Sequence, residues 1–304
     1  RGQEGPARRV AGAWKTAGPL RQMCAGGLFF ALFSKPAALK KARSWGKLGP
    51  AESWPESPRS GNVDNLPTLV NYHIPRTGGR SRTQFLSAVV GDRDVFNTMG
   101  QQKRDFDEYR RLPVEEKRKI RLIAGHMTLQ CLKDVLQPMF GITFVRNPLL
   151  RTISHYNGFK SWTGHPINFW INKNNITLRE FCLAGVREDI LDNVMVRYFL
   201  DRQPGFMQIG EAHLAEALKN MHTYIHFVGL MEFTEESLRL LCGVLGVRDM
   251  PDIPRVGALN QERKLSGLDH KDREALFLVN KYDMLLYEHA VAQFQKFREA
   301  KAAG

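Results

Sequence analysis

Two hydrophobic patterns alternate along the chain from residue 66 onward, and together they predict an α/β fold. Strands buried on both faces read as unbroken runs of apolar residues, whereas helices place apolar residues three and four positions apart. Unbroken runs predict strands at 68–74, 121–126, 141–146 and 224–230. Helical spacing and end signals predict helices at 81–91, 112–120, 148–159, 189–201, 211–221 and 234–246, and a long helix or helix pair within 269–300.

The order of these elements predicts a three-layer sandwich. Strands alternate with helices, and the strands lack the in–out alternation of a sheet that faces water on one side. Such a chain is expected to build a central parallel sheet flanked by helices on both faces. The segment "TLRE", residues 177–180, fits a capping box that opens one further helix.

Residues 1–60 differ from the rest of the chain and predict a disordered basic leader and linker. They are rich in Gly, Pro, Ala and Ser, and no periodicity is sustained through them. The apolar run 23–33 is shorter than the roughly 20 residues that a membrane span needs. It follows Arg21 and fits the apolar region of a signal sequence. We therefore place the folded domain at 61–304.

The charge of the chain argues against nucleic-acid binding by the folded domain. The net charge is +13 over 304 residues, but residues 1–60 hold 11 Lys/Arg against 3 Asp/Glu. The remaining residues hold 33 against 28, which makes the folded domain only mildly basic. The four cysteines are widely spaced without a CxxC pair, which predicts buried thiols rather than a zinc site or redox dithiol.

The stretch "NYHIPRTGGRSRTQF", residues 71–85, joins a predicted strand to a predicted helix. Glycines at such a junction let the backbone approach an anion, and the first amides of the helix point toward it. Hydroxyl groups are available from Thr77, Ser81 and Thr83, and positive charge from Arg76, Arg80 and Arg82. The stretch therefore predicts a phosphate cradle. It lacks the GxxxxGK[ST] pattern of a Walker A loop.

A second stretch, "TFVRNPLLRTISHY" at 143–156, repeats this arrangement. A buried strand ends at Arg146, Pro148 opens a helix, and Ser154 lies about two turns into it. In open α/β sheets the carboxyl ends of strands face the ligand crevice, so Arg146 is expected to project there. Two separate anion clamps suit a ligand with phosphates at both ends.

These two motifs resemble those of the sulfotransferases that use 3′-phosphoadenosine 5′-phosphosulfate (PAPS), in particular the heparan-sulfate and uronyl 2-O-sulfotransferase group. The first motif, HIPRTGGRS at 73–81, resembles HIPKTGGTS, and the second, FVRNP through SHY, resembles FVRDPxxRxxSHY. Further likeness extends over residues 68–295. The resemblance implies a P-loop-NTPase-like fold and transfer of a sulfuryl group from PAPS to a carbohydrate hydroxyl.

The resemblance also implies roles for particular residues. The residues that it implies for binding the 5′-phosphosulfate are Arg76, Thr77, Gly78, Gly79, Arg80 and Ser81. The residues that it implies for binding the 3′-phosphate are Arg146 and Ser154. Arg76 stands where the family has a lysine that acts on the leaving group, and arginine is not an equivalent replacement.

Of the nine histidines, His126 is the predicted catalytic base. It follows Gly125 just past a predicted strand and matches the family's catalytic "GH" position, and a histidine near neutral pKa suits proton transfer. His73 is predicted to be structural and His155 to pack or cap. No metal is expected, because no HExxH motif or DxDxDG loop occurs.

Several alternatives stay open at this point. A nucleotide kinase would bind ATP with magnesium and would lack the 3′-phosphate clamp. A catalytically weak relative that binds PAPS, or its product adenosine 3′,5′-bisphosphate (PAP), as a scaffold is suggested by Arg76. A basic nucleic-acid binder would depend on residues 1–60.

The acceptor and the location are expectations from the resemblance alone. Animal members of this group lie in the Golgi lumen on a membrane anchor, and bacterial members are cytoplasmic. We expect a Golgi member whose anchor is short or missing, acting on a carbohydrate such as an acidic polysaccharide.

Overall fold

Strand β1, Thr68–Tyr72, lies at the centre of a five-stranded parallel sheet in the computed structural model of this protein. The structure describes residues 66–91, 94–98, 102–185, 191–252 and 267–303. The other strands are β2 Val95–Thr98, β3 Leu122–Gly125, β4 Met139–Val145 and β5 Phe227–Leu230. Their order across the sheet is β2-β3-β1-β4-β5, and every neighbouring pair is parallel.

The helices of the described ranges cover this sheet. They are α1 Gly79–Val90, α2 Gln102–Arg111, α3 Val114–Lys119, α4 Leu129–Lys133, α5 Pro148–Ser161, α6 Pro166–Lys173, α7 Leu178–Leu183, α8 Val194–Tyr198, α9 Glu211–Tyr224, α10 Thr234–Leu245, α11 His270–Val279 and α12 Lys281–Ala303. A 3₁₀ turn, Met231–Phe233, follows β5. The predicted α/β sandwich with a central parallel sheet flanked by helices is confirmed.

The four predicted strands all form, and their apolar runs explain why they occupy the interior. Every residue of β4 and β5 is buried, and so are four of the five residues of β1. Each run therefore has helices on both sides, as parallel sheets require. The register pairs Val70 with Ile123 on one side and with Gly141 on the other.

The predicted helices form as well, with small shifts at their ends. The segment 269–300 is a pair of helices, α11 and α12, separated at Asn280. The capping box at Thr177 is present, with Glu180 returning a hydrogen bond to the Thr177 amide. The predicted helix 189–201 extends beyond the described residues, and its described part holds the short helix α8.

Several elements were not expected from the sequence. Strand β2 is short, and none of its first three residues is buried, so it carries no apolar run. Helices α2, α4 and α6 were also not predicted. In α2 the aromatic residues Phe106 and Tyr109 provide the buried face of an otherwise charged segment.

The predicted leader, residues 1–60, lies outside the described residues, as does Cys24. Cys131, Cys182 and Cys242 are buried thiols outside any disulfide, as predicted. No described helix has both the length and the apolar character that a bilayer crossing requires.

Candidate functional site

The loop between β1 and α1 has the backbone shape of an anion cradle. Gly78 has φ 78° and immediately precedes α1, whose first residue is Gly79. This positive φ favours glycine, and the side chain of Met231 lies close by, with Sδ 2.7 Å from the position of a Cβ atom on Gly78. The first amides of α1 have no carbonyl partner within the helix and face the end of the sheet.

Arg76 lies in this loop in an unusual backbone conformation, with φ 70°. Its side chain is exposed and reaches helix α5, where Nε donates a hydrogen bond to Oγ of Ser154 over 3.2 Å. A Cβ atom on Gly158 would lie only 3.1 Å from the guanidinium carbon of Arg76. Arg76 therefore lies against the second motif rather than over its own loop.

Arg146 joins the two motifs from the other side. It follows β4, is 8% exposed, and its Nη1 donates to the carbonyl oxygen of Arg76 over 3.2 Å. Its Nε is buried and has no hydrogen-bond partner among the described residues. The next residue, Asn147, caps α5 by accepting hydrogen bonds from the first amides of that helix. A buried donor without an acceptor is costly, and an anion in the crevice would supply one.

The two predicted clamps are therefore parts of one site. Arg76, Arg146 and Ser154 lie within a connected set of hydrogen bonds, although Arg76 and Ser154 are 78 residues apart. Ser81 lines a small pocket together with Gly78, while Arg80 is exposed. The structure therefore brings parts of the two stretches into contact.

Two of the predicted hydroxyl donors are engaged elsewhere. Thr77 is fully buried, and its hydroxyl donates to the carbonyl oxygen of Ile74 over 2.8 Å. Oγ1 of Thr83 accepts a hydrogen bond from the side-chain amide of Asn71. These threonine hydroxyls hold the loop in shape, and the contribution of Thr77 to an anion would come from its backbone.

Arg82 lies beneath the cradle and is 3% exposed. Nε donates to Oδ1 of Asn71 over 2.6 Å, and Nη1 donates to the carbonyl oxygen of Thr77 over 2.9 Å. The guanidinium carbon lies 4.5 Å from the centre of the Phe144 ring. Burial lowers the pKa of Arg82 to about 9, which leaves it charged at neutral pH. Within the described residues it forms no salt bridge, so its charge is available to attract an anion.

His126 follows β3 at the same end of the sheet. Its Nδ1 lies 3.1 Å from the carbonyl oxygen of His73. A carbonyl oxygen only accepts, so Nδ1 must carry the proton and Nε2 keeps its lone pair. Burial and, to a smaller extent, the nearby charge of Arg82 lower the pKa of His126 below its ordinary value, while its hydrogen bond to the His73 carbonyl acts in the opposite direction. A neutral histidine with an open Nε2 has the chemistry of a general base.

The sequence did not reveal the surroundings of two residues, Arg82 and His73. It placed Arg82 among the charges of the cradle loop, whereas Arg82 shares the buried face of α1 with Phe85, Leu86 and Val89. That helical spacing was the available signal. His73 is half-buried, and its ring stacks on that of His126 with centres 4.5 Å apart, so it belongs to the site.

Two further side chains have structural contacts. His155 packs, as predicted, with its ring stacked on that of Phe159. Arg197 on α8 forms a buried salt bridge with Asp192. Among the residues that the structure describes, no group of three or more His, Cys, Asp or Glu side chains is arranged to hold a metal ion.

A parallel α/β sheet with two strand–turn–helix junctions that converge at one end of the strands is typical of phosphate-binding proteins. The model of the sulfotransferase family matches residues 62–290, and the chain belongs to this family. No curated protein sequence matches it.

Among solved structures, the crystal structure of mouse sulfotransferase SULT7A1 complexed with PAP is similar to this chain. The two chains are 15% identical, the match covers 68% of this chain, and the TM-score is 0.36. The chain spans 66% of the length of that structure.

Proposed function

We propose that this protein is a PAPS-dependent O-sulfotransferase that transfers a sulfuryl group to a hydroxyl of a carbohydrate. Family membership supports sulfuryl transfer in general. The observation that carries the donor assignment is the contact of Arg146 and Ser154 with Arg76, which joins the two anion-binding stretches into one crevice. PAPS carries anionic groups at both ends of an adenosine and matches such a crevice.

The residues of the crevice fit this donor. The first-turn amides of α1, together with Ser81, are suited to the 5′-phosphosulfate, and the buried charge of Arg82 lies beneath them. Arg146 offers a buried, unpartnered Nε to the 3′-phosphate. Ser154 and Arg76 lie beside it. In this proposal Arg76 belongs to the 3′-phosphate side, which differs from the leaving-group role that its sequence position suggested.

The chemistry asks three things of the protein. The donor supplies the sulfuryl group, and the protein must align it, stabilise charge on the departing phosphate oxygen, and remove a proton from the acceptor hydroxyl. His126 is suited to take that proton at Nε2, because its Nδ1 is held as a donor by the His73 carbonyl. The crevice amides and arginines provide the positive environment.

The carbohydrate acceptor is supported by the exposed surface beside the crevice. Trp162, which follows the last residue of helix α5, is 59% exposed, and Phe169 on α6 is 64% exposed. Nζ of Lys173 lies 5.0 Å from the Phe169 ring. Exposed aromatic residues near a crevice mark binding surfaces, and lysine would favour an acidic sugar chain.

The proposal is tested by incubating the purified protein with radiolabelled PAPS and a panel of polysaccharides. We expect label transfer to at least one acceptor, and a rate about 100- to 10,000-fold lower in His126→Ala, which lacks the base. The His126→Ala variant should bind PAP as tightly as wild type, measured by calorimetry. Tighter binding of ADP than of PAP would favour a kinase, and PAP binding without transfer to any acceptor would favour a scaffold.

A further inference from the structure

The imidazole of His73 is held in one protonation state by its neighbours. Nη2 of Arg82 lies 3.2 Å from Nδ1 of His73. The guanidinium has only donors, so Nδ1 of His73 must accept, and the ring proton must lie on Nε2. Burial, followed by the charge of Arg82, lowers the pKa of His73 well below its ordinary value, so the ring is neutral.

The proton on Nε2 lies at the start of the cradle helix. A Cβ atom on Gly79 would lie 2.2 Å from Nε2 of His73 and 2.3 Å from Cδ2 and Cε1, so this part of the imidazole ring occupies the space that a side chain at this position would fill. Gly79 is the first residue of α1, where the free amides begin. Nε2 of His73 therefore lies close to the start of the helix whose amides are suited to the 5′ end of the donor.

The two stacked histidines have opposite roles set by their hydrogen bonds. His126 has its proton on Nδ1, which donates to the backbone carbonyl of His73, and its Nε2 is an acceptor. His73 has its proton on Nε2 and is a donor there. The two rings are stacked with their centres 4.5 Å apart, so one stacked pair contains both a proton acceptor and a proton donor.

We propose that His73 is a second catalytic histidine, which donates a hydrogen bond from Nε2 to the oxygens around the transferred sulfur while His126 accepts the proton of the acceptor hydroxyl. Arg82 is the positioning residue that fixes the state of His73. This inference rests on the proposed sulfotransferase function and adds to it a neutral donor that neither motif assigned.

The step balances with these groups alone. The bond between sulfur and the 5′-phosphate oxygen breaks, and a bond forms between sulfur and the acceptor oxygen. The hydroxyl proton passes to Nε2 of His126, and PAP leaves with the electron pair of the broken bond. A fixed N–H donor stabilises the negative charge that gathers on these oxygens, as donors of oxyanion sites do.

The first test reads the proton positions directly. In protein labelled with nitrogen-15 at histidine, long-range proton–nitrogen spectra distinguish protonated from unprotonated ring nitrogens. We expect His73 protonated at Nε2 and His126 at Nδ1 at neutral pH, and we expect the His73 Nε2–H signal to move when PAP is added. The reverse assignment for His73, or an unchanged signal in PAP-saturated protein, overturns the proposal.

The second test uses two matched variants. Asparagine at position 73 places an amide oxygen near the Nδ1 position, which keeps an acceptor for Arg82 but removes the donor at Nε2. Glutamine places an amide N–H near the Nε2 position. We expect His73→Asn to lower kcat about 100- to 1,000-fold, the usual cost of one such donor. His73→Gln should recover most of that loss.

The outcomes separate this inference from the function on which it rests. Wild-type kcat in His73→Asn, or equal losses of kcat in both variants, contradicts a donor role for His73 while leaving sulfotransferase activity intact. A wild-type protein that neither binds PAP nor transfers sulfate contradicts the proposed function itself. Thermal unfolding of both variants is measured alongside, so that a general loss of structure is recognised.

Discussion

Two buried arginines, Arg82 and Arg197, have opposite surroundings. Arg197 on α8 is 2% exposed, and its Nη2 lies 2.6 Å from a fully buried carboxylate oxygen of Asp192. It also donates to the carbonyl oxygens of Pro204 and Gly205. Arg82 on α1 is equally buried, but its acceptors are an amide oxygen, a carbonyl oxygen and an imidazole nitrogen, all neutral.

The difference separates a buried charge that is paired with a carboxylate from a buried charge that has only neutral partners. A buried cation is costly unless it is paired, and Arg197 is paired within the chain. Arg82 leaves positive charge at the edge of the sheet, where Arg146 and Arg76 also lie. Substitutions in the Arg197–Asp192 pair are expected to change the free energy of unfolding. Substitutions around Arg82 are expected to change the affinity for anions and the pKa values of the histidines.

The largest effect is expected when the salt bridge between Arg197 and Asp192 is broken. Arg197→Met leaves the buried Asp192 carboxylate without its cation, and we expect a loss of about 3–5 kcal/mol in the free energy of unfolding. Chemical denaturation monitored by circular dichroism measures it. Arg239→Gln, which removes an exposed cation paired with Glu235, is the control and should change stability by less than about 1 kcal/mol. Equal stability of both variants would contradict the comparison.

The next effect falls on affinity rather than on stability. Arg146→Met removes the hydrogen-bond donors assigned to the 3′-phosphate, and we expect the Kd for PAP to rise about 10- to 100-fold, as for hydrogen bonds to charged groups. The Kd for adenosine 5′-monophosphate, which lacks the 3′-phosphate, should not change. Arg110→Met is the control, because Arg110 is already paired with Asp107 and Asp134 on the surface. Parallel losses for both nucleotides would place Arg146 elsewhere.

The smallest effect is a shift of pH dependence. The pKa of His126 is lowered from the ordinary value of 6.5, so this histidine takes up a proton only at a lower pH. The acidic limb of kcat/KM should therefore have its midpoint below pH 6.5. Arg82→Gln removes a nearby positive charge, which raises the pKa and moves the limb toward higher pH. The profile of Arg239→Gln should match that of wild type. An acidic limb whose midpoint moves to lower pH in Arg82→Gln would contradict the electrostatic role of Arg82.

The sheet was predictable because its strands carry their signal in single runs of residues. β4 is buried at all seven positions, and its apolar run predicts it without reference to any other part of the chain. β2 could not be found in this way, because it lies at the edge of the sheet and its position depends on pairing with β3. Edge strands of four residues carry too little apolar pattern to be recognised.

The sequence indicated which residues belong to the candidate site, but it did not indicate how their side chains contact one another. The order of residues placed Arg76 and Arg146 at the ends of strands, and parallel strands bring those ends together. The sequence does not give the direction of a side chain, so the contact of Arg76 with Ser154 was not foreseen. The state of His73 depends on its contact with Arg82, and the sequence pattern did not indicate that contact.

The packing of the His73 ring against Gly79 is expected to couple evolutionary substitutions at these two positions, which are six residues apart. A side chain at 79 requires the ring at 73 to move, and moving the ring would disturb its contact with Arg82. A single substitution at either position is therefore an unfavourable route for divergence. Relatives that abandon glycine here should have changed both positions together, and with them the chemistry at this end of the sheet.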